Sequence, residues 1–399
     1  MANAPAAPAN PATHYMQGIA VPASSVRPEE FHARTRRHTL LEKNTAYSNA
    51  RVAGGSTQDV FELRKSDILS SIMVKFSGQV VVTGGTTNVS ARWPYDLANF
   101  KFTANGASNI INASGSKLKV REFMKRSDLN DRGIAQSIQG ANIVQGSLAT
   151  AAEQWGVGSG ATAVAAGTYP VELYWIVPVA EDEVDLAGAV FLATSTADLT
   201  LTLDYLPANQ LFFGGTATEV ALTGTVSVIS KKFSIPVGAD SQIVVPDLSM
   251  FHSLIQSRTT QVQNGDNEIR LVGQGGGKSL LRVFYQTWNG AGTAAKPLPM
   301  TTANYGPQLW RYGNNETPDV FPDGQTMRYS NEQHFCSDIG GQWGYGCHDF
   351  ASDLEFRDVV DMGTTSDLRI LTNIASGVAL SSPAVEYVTE TVFRAGQAA

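Results

Sequence analysis

The chain has 399 residues, of which only 16% are charged, and its formal net charge is −7. That charge argues against a nucleic-acid-binding protein that works by bulk electrostatics, and no apolar run is long enough for a transmembrane helix. Residues 1–18 lack a basic region followed by an apolar core, so we expect no secretory signal and folding in a cytoplasm. Two cysteines are too few for a disulfide framework.

The first 54 residues differ from the rest of the chain in charge and complexity. Residues 1–26 are rich in alanine, proline and asparagine, which predicts an extended arm. Pro28 at a first helical position, two acids after it and later bases predict a short helix over 28–43. Six basic and three acidic residues give the arm 1–54 a net charge of +3, which leaves −10 for the remainder. Its candidate surface-binding residues are Arg34, Arg36, Arg37 and Lys43.

Residues 55–240 have the pattern of β-strands. Residues 199–205 alternate between apolar and polar side chains, which predicts a strand with one buried face. Both faces are apolar in residues 171–179, around Trp175, which predicts a strand covered on both sides. Strands separated by Gly, Asn and Thr turns, with few helical patterns, favour a sandwich or barrel. We therefore predict a first β-domain over 55–240.

The strand pattern resumes in a second predicted domain over 241–399. A helix is predicted at its start, because Asp247 can cap it and four apolar residues then share one face: Leu248, Phe251, Leu254 and Ile255. Residues 286–350 are rich in Gly, Asn, Pro and Asp, which predicts a long loop. The segments 196–199 and 365–368 share the pattern Thr-x-Asp-Leu and each opens a strand, which suggests a duplicated β-domain.

A glycine-rich segment at 273–279, GQGGGKS, ends like a phosphate-binding loop. The glycine that such a loop requires would fall on Val272, and a β-rich segment follows instead of a helix. A turn between two strands is therefore favoured over a nucleotide site.

Two histidines and two cysteines form a second candidate cluster: His334, Cys336, Cys347 and His348. Their H-x-C and C-H spacings are poor for zinc chelation. A metal site, a Cys336–Cys347 disulfide and unlinked packing residues remain alternatives, of which packing is favoured.

Aromatic residues are frequent in the predicted loop: Trp288, Tyr305, Trp310, Tyr312, Tyr329, Trp343 and Tyr345. Exposed aromatic side chains on loops can bind sugars or protein partners. Packing of the loop into a small core of its own is the favoured interpretation.

Four acids lie within five residues after the strand at 171–179: Glu181, Asp182, Glu183 and Asp185. They are interpreted as a solvated turn that follows a buried strand. Acids at alternate positions can also hold calcium, and a pair of them could act in catalysis, so both alternatives stay open.

The residues around these acids carry the most specific pattern in the chain. The pattern consists of Tyr174-Trp175, then Val177-Pro178-Val179-Ala180, four further residues, and Asp185-Leu186-Ala187-Gly188-Ala189-Val190. Over residues 169–206 it resembles the major capsid protein of tectiviruses, tailless icosahedral bacteriophages with a membrane beneath the protein shell. The resemblance continues more faintly over 236–254 and 319–324.

The resemblance implies an all-β fold, the double jelly roll: two eight-stranded β-sandwiches in one chain, with a few short helices and an extended N-terminal arm. It implies a homotrimer that tiles an icosahedral shell over an internal viral membrane, in the virion of a phage made in a bacterial cytoplasm. Expected partners are neighbouring trimers, vertex (penton) and minor capsid proteins, and anionic lipid held by Arg34, Arg36, Arg37 and Lys43. No cofactor, metal, enzymatic activity or direct nucleic-acid contact is expected.

Two alternatives belong to other classes of function. A carbohydrate-binding β-sandwich or a glycosidase would bind a glycan or hydrolyse a sugar, and the glycosidase needs two carboxylates that face a cleft. The basic arm has its own alternatives, because it could be a solvated helix face or a clip between adjacent trimers instead of a lipid contact.

Overall fold

The structure, a computed structural model, describes residues 29–31, 35–52, 54–104, 107–125, 162–183, 186–191, 199–235, 243–244, 248–271, 277–290, 298–311, 320–336, 338–340, 344–351, 360–362 and 368–394. These residues are mainly β-strand. No helix among them is long and apolar enough to cross a membrane.

The first half of the chain forms β1 (Glu29–Glu30), β2 (Arg37–Ala50), β3 (Thr57–Glu62), β4 (Ile68–Thr83), β5 (Thr87–Val89), a 3₁₀ turn (Tyr95–Leu97), β6 (Ala98–Ala104), β7 (Ala107–Ser114), α1 (Gly115–Lys125), β8 (Thr162–Val164), β9 (Gly167–Val177), β10 (Val190–Phe191), β11 (Thr200–Tyr205), α2 (Ala208–Leu211), β12 (Phe212–Phe213), β13 (Glu219–Phe233) and β14 (Ile243–Val244).

The second half forms β15 (Met250–Thr259), β16 (Gly265–Arg270), β17 (Lys278–Asn289), β18 (Leu298–Pro299), a second 3₁₀ turn (Thr302–Asn304), β19 (Tyr305–Arg311), β20 (Val320–Phe321), α3 (Gly324–Phe335), β21 (Tyr345–Asp349), β22 (Val360–Asp361), β23 (Arg369–Ile374) and β24 (Ala384–Arg394).

The strands build two sandwiches with the same strand order. The N-terminal sandwich has one sheet in the order β9–β4–β13–β2 and a second in the order β7–β6–β11–β3. The C-terminal sandwich repeats this order as β21–β17–β24–β15 and β20–β19–β23–β16. The neighbours within each of these four sheets are antiparallel. The duplication suggested by the two Thr-x-Asp-Leu segments thus agrees with β11 and β23, which follow them and hold the same place.

A parallel pair of strands joins the two sandwiches. β15 pairs with β7 at Leu254↔Ile111 and Ile255↔Asn112, so one sheet continues from the first sandwich into the second. The largest core cluster also crosses this joint, because it contains Phe102 of the first sandwich and Val388 of the second. The joint is therefore a packed interface and not a linker.

Hydrophobic alternation predicted the N-terminal sandwich well. In β11, Leu201, Leu203 and Tyr205 are buried, and the residues between them are partly exposed. In β9 the face that carries Trp175 is buried, whereas Tyr174 and Ile176 on the opposite face are half-buried. The prediction of two covered faces is therefore wrong for β9, because its second face is only half-buried.

Most described residues of both predicted helices are strand in the structure, although Phe31 is helical. Residues 37–43, the second half of the predicted helix 28–43, belong to β2, which pairs with β13 from Arg37↔Phe233 to Ala50↔Ala221. Residues 250–255 of the second predicted helix belong to β15, which pairs with β24 along its whole length. Ladder hydrogen bonds and one-sided burial outweigh a weak helical spacing in both segments.

The segment 286–350 is not one long loop. Its described residues include the strands β19 and β21 and the helix α3. The Asp323 carboxylate accepts a hydrogen bond from the backbone N–H of Thr326 (2.7 Å), so it caps the N-terminus of α3. Turn-forming residues in this segment separate short elements from one another, and composition alone did not distinguish that arrangement from a loop.

Candidate functional site

A concentration of buried charge lies at the joint between the sandwiches. Residues three and four apart on a helix share a face, and one face of α1 carries four buried side chains: Lys117, Val120, Arg121 and Met124. Glu386 and Glu390 on β24 are also buried, and their even spacing places them on one side of the strand. The helix belongs to the first sandwich and the strand to the second, so their charges meet across the joint.

The first cluster forms around Glu386. Its two carboxylate oxygens lie 2.7 Å from Arg92 Nη2 and 3.3 Å from Lys117 Nζ. Arg92 also pairs with Asp96 at 3.1 Å, and Lys117 donates a hydrogen bond to the hydroxyl of Tyr345 at 2.8 Å. Burial alone would raise the pKa of Glu386, but Lys117 and Arg92 outweigh it and lower the pKa to about 2. The carboxylate is therefore charged although it is buried.

The second cluster forms around Glu390. Arg121 Nε donates to one oxygen at 2.8 Å, and Arg282 Nη1 donates to the other at 2.9 Å. His252 places Nε2 2.8 Å from Glu390 and Nδ1 2.8 Å from the carbonyl oxygen of Pro178. Both of these oxygens accept, so a ring with a proton on each nitrogen satisfies both contacts. Burial opposes the charge of Glu390, but the two arginines hold its pKa well below the usual range.

These pairs fix the orientation of the two sandwiches relative to each other. Removal of one partner from a buried ion pair costs about 3–5 kcal/mol, because the remaining charge is left without compensation. Arg92, Lys117 and Arg121 come from the first sandwich, whereas Glu386 and Glu390 come from the second. The joint therefore resists both sliding and separation.

The acids after β9 are not simply a solvated turn. Glu181 is buried, contacts Lys125 through Oε1 and lies 3.8 Å from Arg282. Glu183 is partly exposed and pairs with Arg37 at 2.8 Å. The solvated interpretation is wrong for Glu181, because α1 and β17 bring basic side chains to it. Asp182 is half-buried, and Asp185 lies outside the described residues.

The three described candidate bases of the arm, Arg36, Arg37 and Lys43, do not form one cluster. Arg34 lies outside the described residues, Arg36 is exposed ahead of β2, and Arg37 and Lys43 lie on β2. Six residues of strand separate Arg37 from Lys43, a distance of about 20 Å at the usual rise per residue. Arg36 and Arg37 thus mark one end of the first sandwich, and Lys43 lies midway along its edge.

The histidine and cysteine residues are distributed over α3 and β21. Cys336 is exposed, Cys347 is buried, and both are free thiols. Burial raises the pKa of the Cys347 thiol well above its usual value, which makes it a poor nucleophile. His334 lies on α3 with Nε2 3.1 Å from Asp349 Oδ2. Within the described ranges no three acidic, histidine or cysteine residues converge as metal ligands.

The other two predicted motifs are structural where the chain is described. Lys278 is the first residue of β17, so a strand follows the glycine-rich segment as expected. Four of the aromatic residues are buried, namely Trp288, Tyr305, Trp310 and Tyr345, and Tyr329 is exposed. Tyr312 and Trp343 lie outside the described residues.

The residues that matter most at the joint were missed by the sequence analysis. Glu386 and Glu390 lie at even spacing in the strand AVEYVTETVFR, whose other residues are mostly apolar or β-branched, which is an unusual place for two charges. That signal predicts buried, paired carboxylates. Their partners on α1 are far away in the sequence and could not be assigned from it.

One family model matches a large part of the chain. The family described as P3 major capsid protein N-terminal matches residues 45–245, which is half of the chain. The chain belongs to this family. It is a major capsid protein, and its two sandwiches form a double jelly roll.

Solved structures similar to this capsid protein cover nearly all of it. The major capsid protein of STIV, Sulfolobus Turreted Icosahedral Virus, is 14% identical with a TM-score of 0.61, over 90% of this chain and 97% of that chain. The Faustovirus major capsid protein is 8% identical with a TM-score of 0.53, over 96% and 93%. The major capsid protein P2 from Bacteriophage PM2 is 11% identical with a TM-score of 0.51, over 91% and 99%. At such low identities the likeness concerns the fold. Among curated proteins, no sequence matches the chain.

Proposed function

We propose that this capsid protein works as a homotrimer whose six sandwiches form a near-hexagonal block that tiles an icosahedral shell. The observation that supports it is the joint, which holds two sandwiches of the same strand order in one orientation. A head-to-tail contact repeated by rotation closes a ring, and three chains with two similar units each make a ring of six. The low charged fraction of 16% suits surfaces that neighbours cover.

In the virion the trimer contacts neighbouring trimers, vertex (penton) proteins and minor capsid proteins, and it is synthesised in the cytoplasm of a bacterial host. Its mechanism is assembly, without catalysis or a cofactor. The buried carboxylates support this view, since Glu386 and Glu390 face arginine and lysine side chains. A glycosidase would instead need two carboxylates on either side of a substrate cleft.

The shell lies over an internal viral membrane, and the N-terminal arm faces its anionic lipid. Support comes from the charge of +3 on residues 1–54, which include β2 of the first sandwich, against −10 on the remainder. A basic side chain near an anionic surface contributes about 1 kcal/mol, so one arm binds weakly and many arms bind together. Arg34, Arg36, Arg37 and Lys43 are the contact residues, of which Arg37 also pairs with Glu183.

Sedimentation of the purified protein at micromolar concentration tests the trimer. A stable trimer is expected, because obligate subunits bury interfaces of more than roughly 2,000 Å². A monodisperse monomer would contradict the proposal. Electron microscopy of particles, with this chain identified in them by mass spectrometry, tests its place in the shell.

A further inference from the structure

The same strand order in both sandwiches means that each surface at the joint has a counterpart elsewhere in the chain. At the joint, the β7–α1 side of the first sandwich meets the β24–β15 side of the second. The counterpart of β7–α1 is β20–α3, and the counterpart of β24–β15 is β13–β2. The β20–α3 surface belongs to the second sandwich, and the β13–β2 surface belongs to the first.

The helices can be compared residue by residue, because each begins at a glycine that packs on a 3₁₀ turn. A Cβ on Gly115 would lie 2.0 Å from the carbonyl oxygen of Tyr95, and one on Gly324 would lie 2.3 Å from that of Thr302. Counted from these glycines, the buried face of α1, formed by Lys117, Val120, Arg121 and Met124, corresponds to Thr326, Tyr329, Ser330 and Gln333 on α3.

The corresponding face of α3 is open. Tyr329 is 62% exposed, whereas its counterpart Val120 is fully buried. Thr326 and Gln333 are also exposed, and Ser330 is half-buried. An exposed tyrosine on a helix face that is elsewhere an interface is typical of a docking residue, since tyrosine contributes a large apolar area with a polar end.

The sheets that contain β13–β2 and β24–β15 can be aligned by the residue pairs at the ends of their β-ladders. Arg37 pairs with Phe233 at one end of the β2–β13 ladder, and Met250 pairs with Arg394 at the same end of the β15–β24 ladder. Counted from those ends, Glu386 and Glu390 correspond to Thr225 and Ile229, and Leu254 corresponds to Leu41. Val226 and Val228 of β13 belong to the core of the first sandwich, so Thr225 and Ile229 face outward.

The outward face of β13–β2 is also open where its counterpart is buried. Leu254 is fully buried at the joint, whereas Leu41 is 49% exposed. Thr225 is exposed and Ile229 is half-buried, although Glu386 and Glu390 are both buried. Both surfaces that meet at the joint, one with a helix and one with two strands, therefore have an uncovered counterpart. The residues of these counterparts occupy the positions that are in contact at the joint.

We propose that α3 of one copy of this chain packs on the outer face of β13–β2 of the next copy, as α1 packs on β24–β15 within the chain. The inference rests on the proposed trimer and names the two surfaces that form it. Tyr329 is covered by the neighbour, and Leu41 of the neighbour is covered in return. Every copy presents both surfaces, so three such head-to-tail contacts close a ring when the rotation from one copy to the next is one third of a turn.

The joint within the chain also predicts which residues come close between copies. Lys117 Nζ lies 3.3 Å from a carboxylate oxygen of Glu386 at the joint. Thr326 and Thr225 are the counterparts of these two residues, so Thr326 of one copy is expected opposite Thr225 of the next. A lysine–glutamate pair spans more than the roughly 7 Å between Cα atoms that a disulfide tolerates. A bismaleimide is therefore the appropriate cross-linker.

The test uses the full chain with Cys336→Ser, which removes the exposed native thiol and leaves the buried Cys347. Thr225→Cys and Thr326→Cys are introduced together, and both positions are exposed, so folding should be unaffected. Bismaleimide treatment is expected to give covalent trimer on a denaturing gel at about tenfold the yield of either single variant, because neighbouring thiols have a millimolar effective concentration.

The matched control pairs Thr225→Cys with Glu332→Cys, an exposed position on α3 outside the docking face. A trimer in sedimentation that gives no more covalent product than this control overturns the assignment of surfaces and leaves the proposed trimer intact. A monomer in sedimentation overturns both. Covalent trimer from the Thr225–Thr326 pair alone supports both.

Discussion

Trp175 is a large buried side chain in the core of the first sandwich. It is 2% exposed, its ring lies 5.4 Å from that of Phe100, and its Nε1 donates to the carbonyl oxygen of Tyr95 at 3.1 Å. Trp175→Ala is expected to destabilise the subunit by about 3–5 kcal/mol through the cavity that it leaves. Trp175→Phe keeps most of the bulk and loses the hydrogen bond, so it should cost less. Urea unfolding measures both, and a loss below about 0.5 kcal/mol for the alanine variant would contradict the burial.

The low pKa of Glu386 leads us to expect that the stability of the joint depends on pH. Its pKa in the folded protein is about 2, below the ordinary 4.5, so the carboxylate stabilises the fold at pH values above 4.5. That contribution, roughly 3 kcal/mol, is lost as the pH falls from 4.5 towards 2. Glu386→Gln should therefore be less stable at pH 7 and should lose less stability on acidification.

Urea unfolding at pH 7, 4.5 and 3 follows this dependence. Glu62→Gln is the matched control, because Glu62 is exposed on β3 and should change neither the stability nor its pH dependence. Parallel pH profiles for the native protein and Glu386→Gln would contradict the role of the Glu386 carboxylate.

At the scale of elements, α1 depends on the glycine at its start. A Cβ on Gly115 would lie 2.0 Å from the carbonyl oxygen of Tyr95 and 2.4 Å from Trp175 Nε1. Gly115→Ala is expected to push α1 away from the 3₁₀ turn, at a cost of about 1–3 kcal/mol despite the better helix propensity of alanine. Gly377→Ala is the control, since no atom lies within 4 Å of its Cβ position. Equal unfolding midpoints for the two variants would show that α1 tolerates the shift.

At the scale of the whole molecule, we expect the basic residues of the arm to affect how strongly the shell binds its membrane. With Arg34, Arg36, Arg37 and Lys43 changed to glutamine, shells should form in infected cells but release their membrane more readily as salt rises. The physical reason is that salt screens charges over about 10 Å at 0.1 M. Arg270→Gln is the control, because Arg270 is an exposed base on β16 of the second sandwich, outside the arm. Unchanged membrane retention in this fourfold variant would refute lipid contact, and failure of trimers to join would favour the clip between trimers.

The sequence by itself determined the strands that alternate strongly, such as β11, and the core position of Trp175. It also carried the resemblance over 169–206 that led to the correct family. Such features depend on local periodicity, because successive residues of a strand point to opposite faces whatever surrounds them. The two Thr-x-Asp-Leu segments indicated the duplication because each one directly precedes the equivalent strand of its sandwich, which is also a local feature of the sequence.

Only the tertiary structure decided which weakly periodic segments are strands and which acids are buried. Residues 37–43 and 250–255 have helical spacing, but each lies beside a strand about 190 or 140 residues away that supplies a complete ladder. Glu181 has the sequence context of a surface acid, yet α1 brings Lys125 to it, and the spacing of Glu390 does not reveal that Arg121 of α1 is its partner. A buried charge is stable only if an opposite charge lies next to it. The fold decides which residue provides that charge, and the distance along the chain does not.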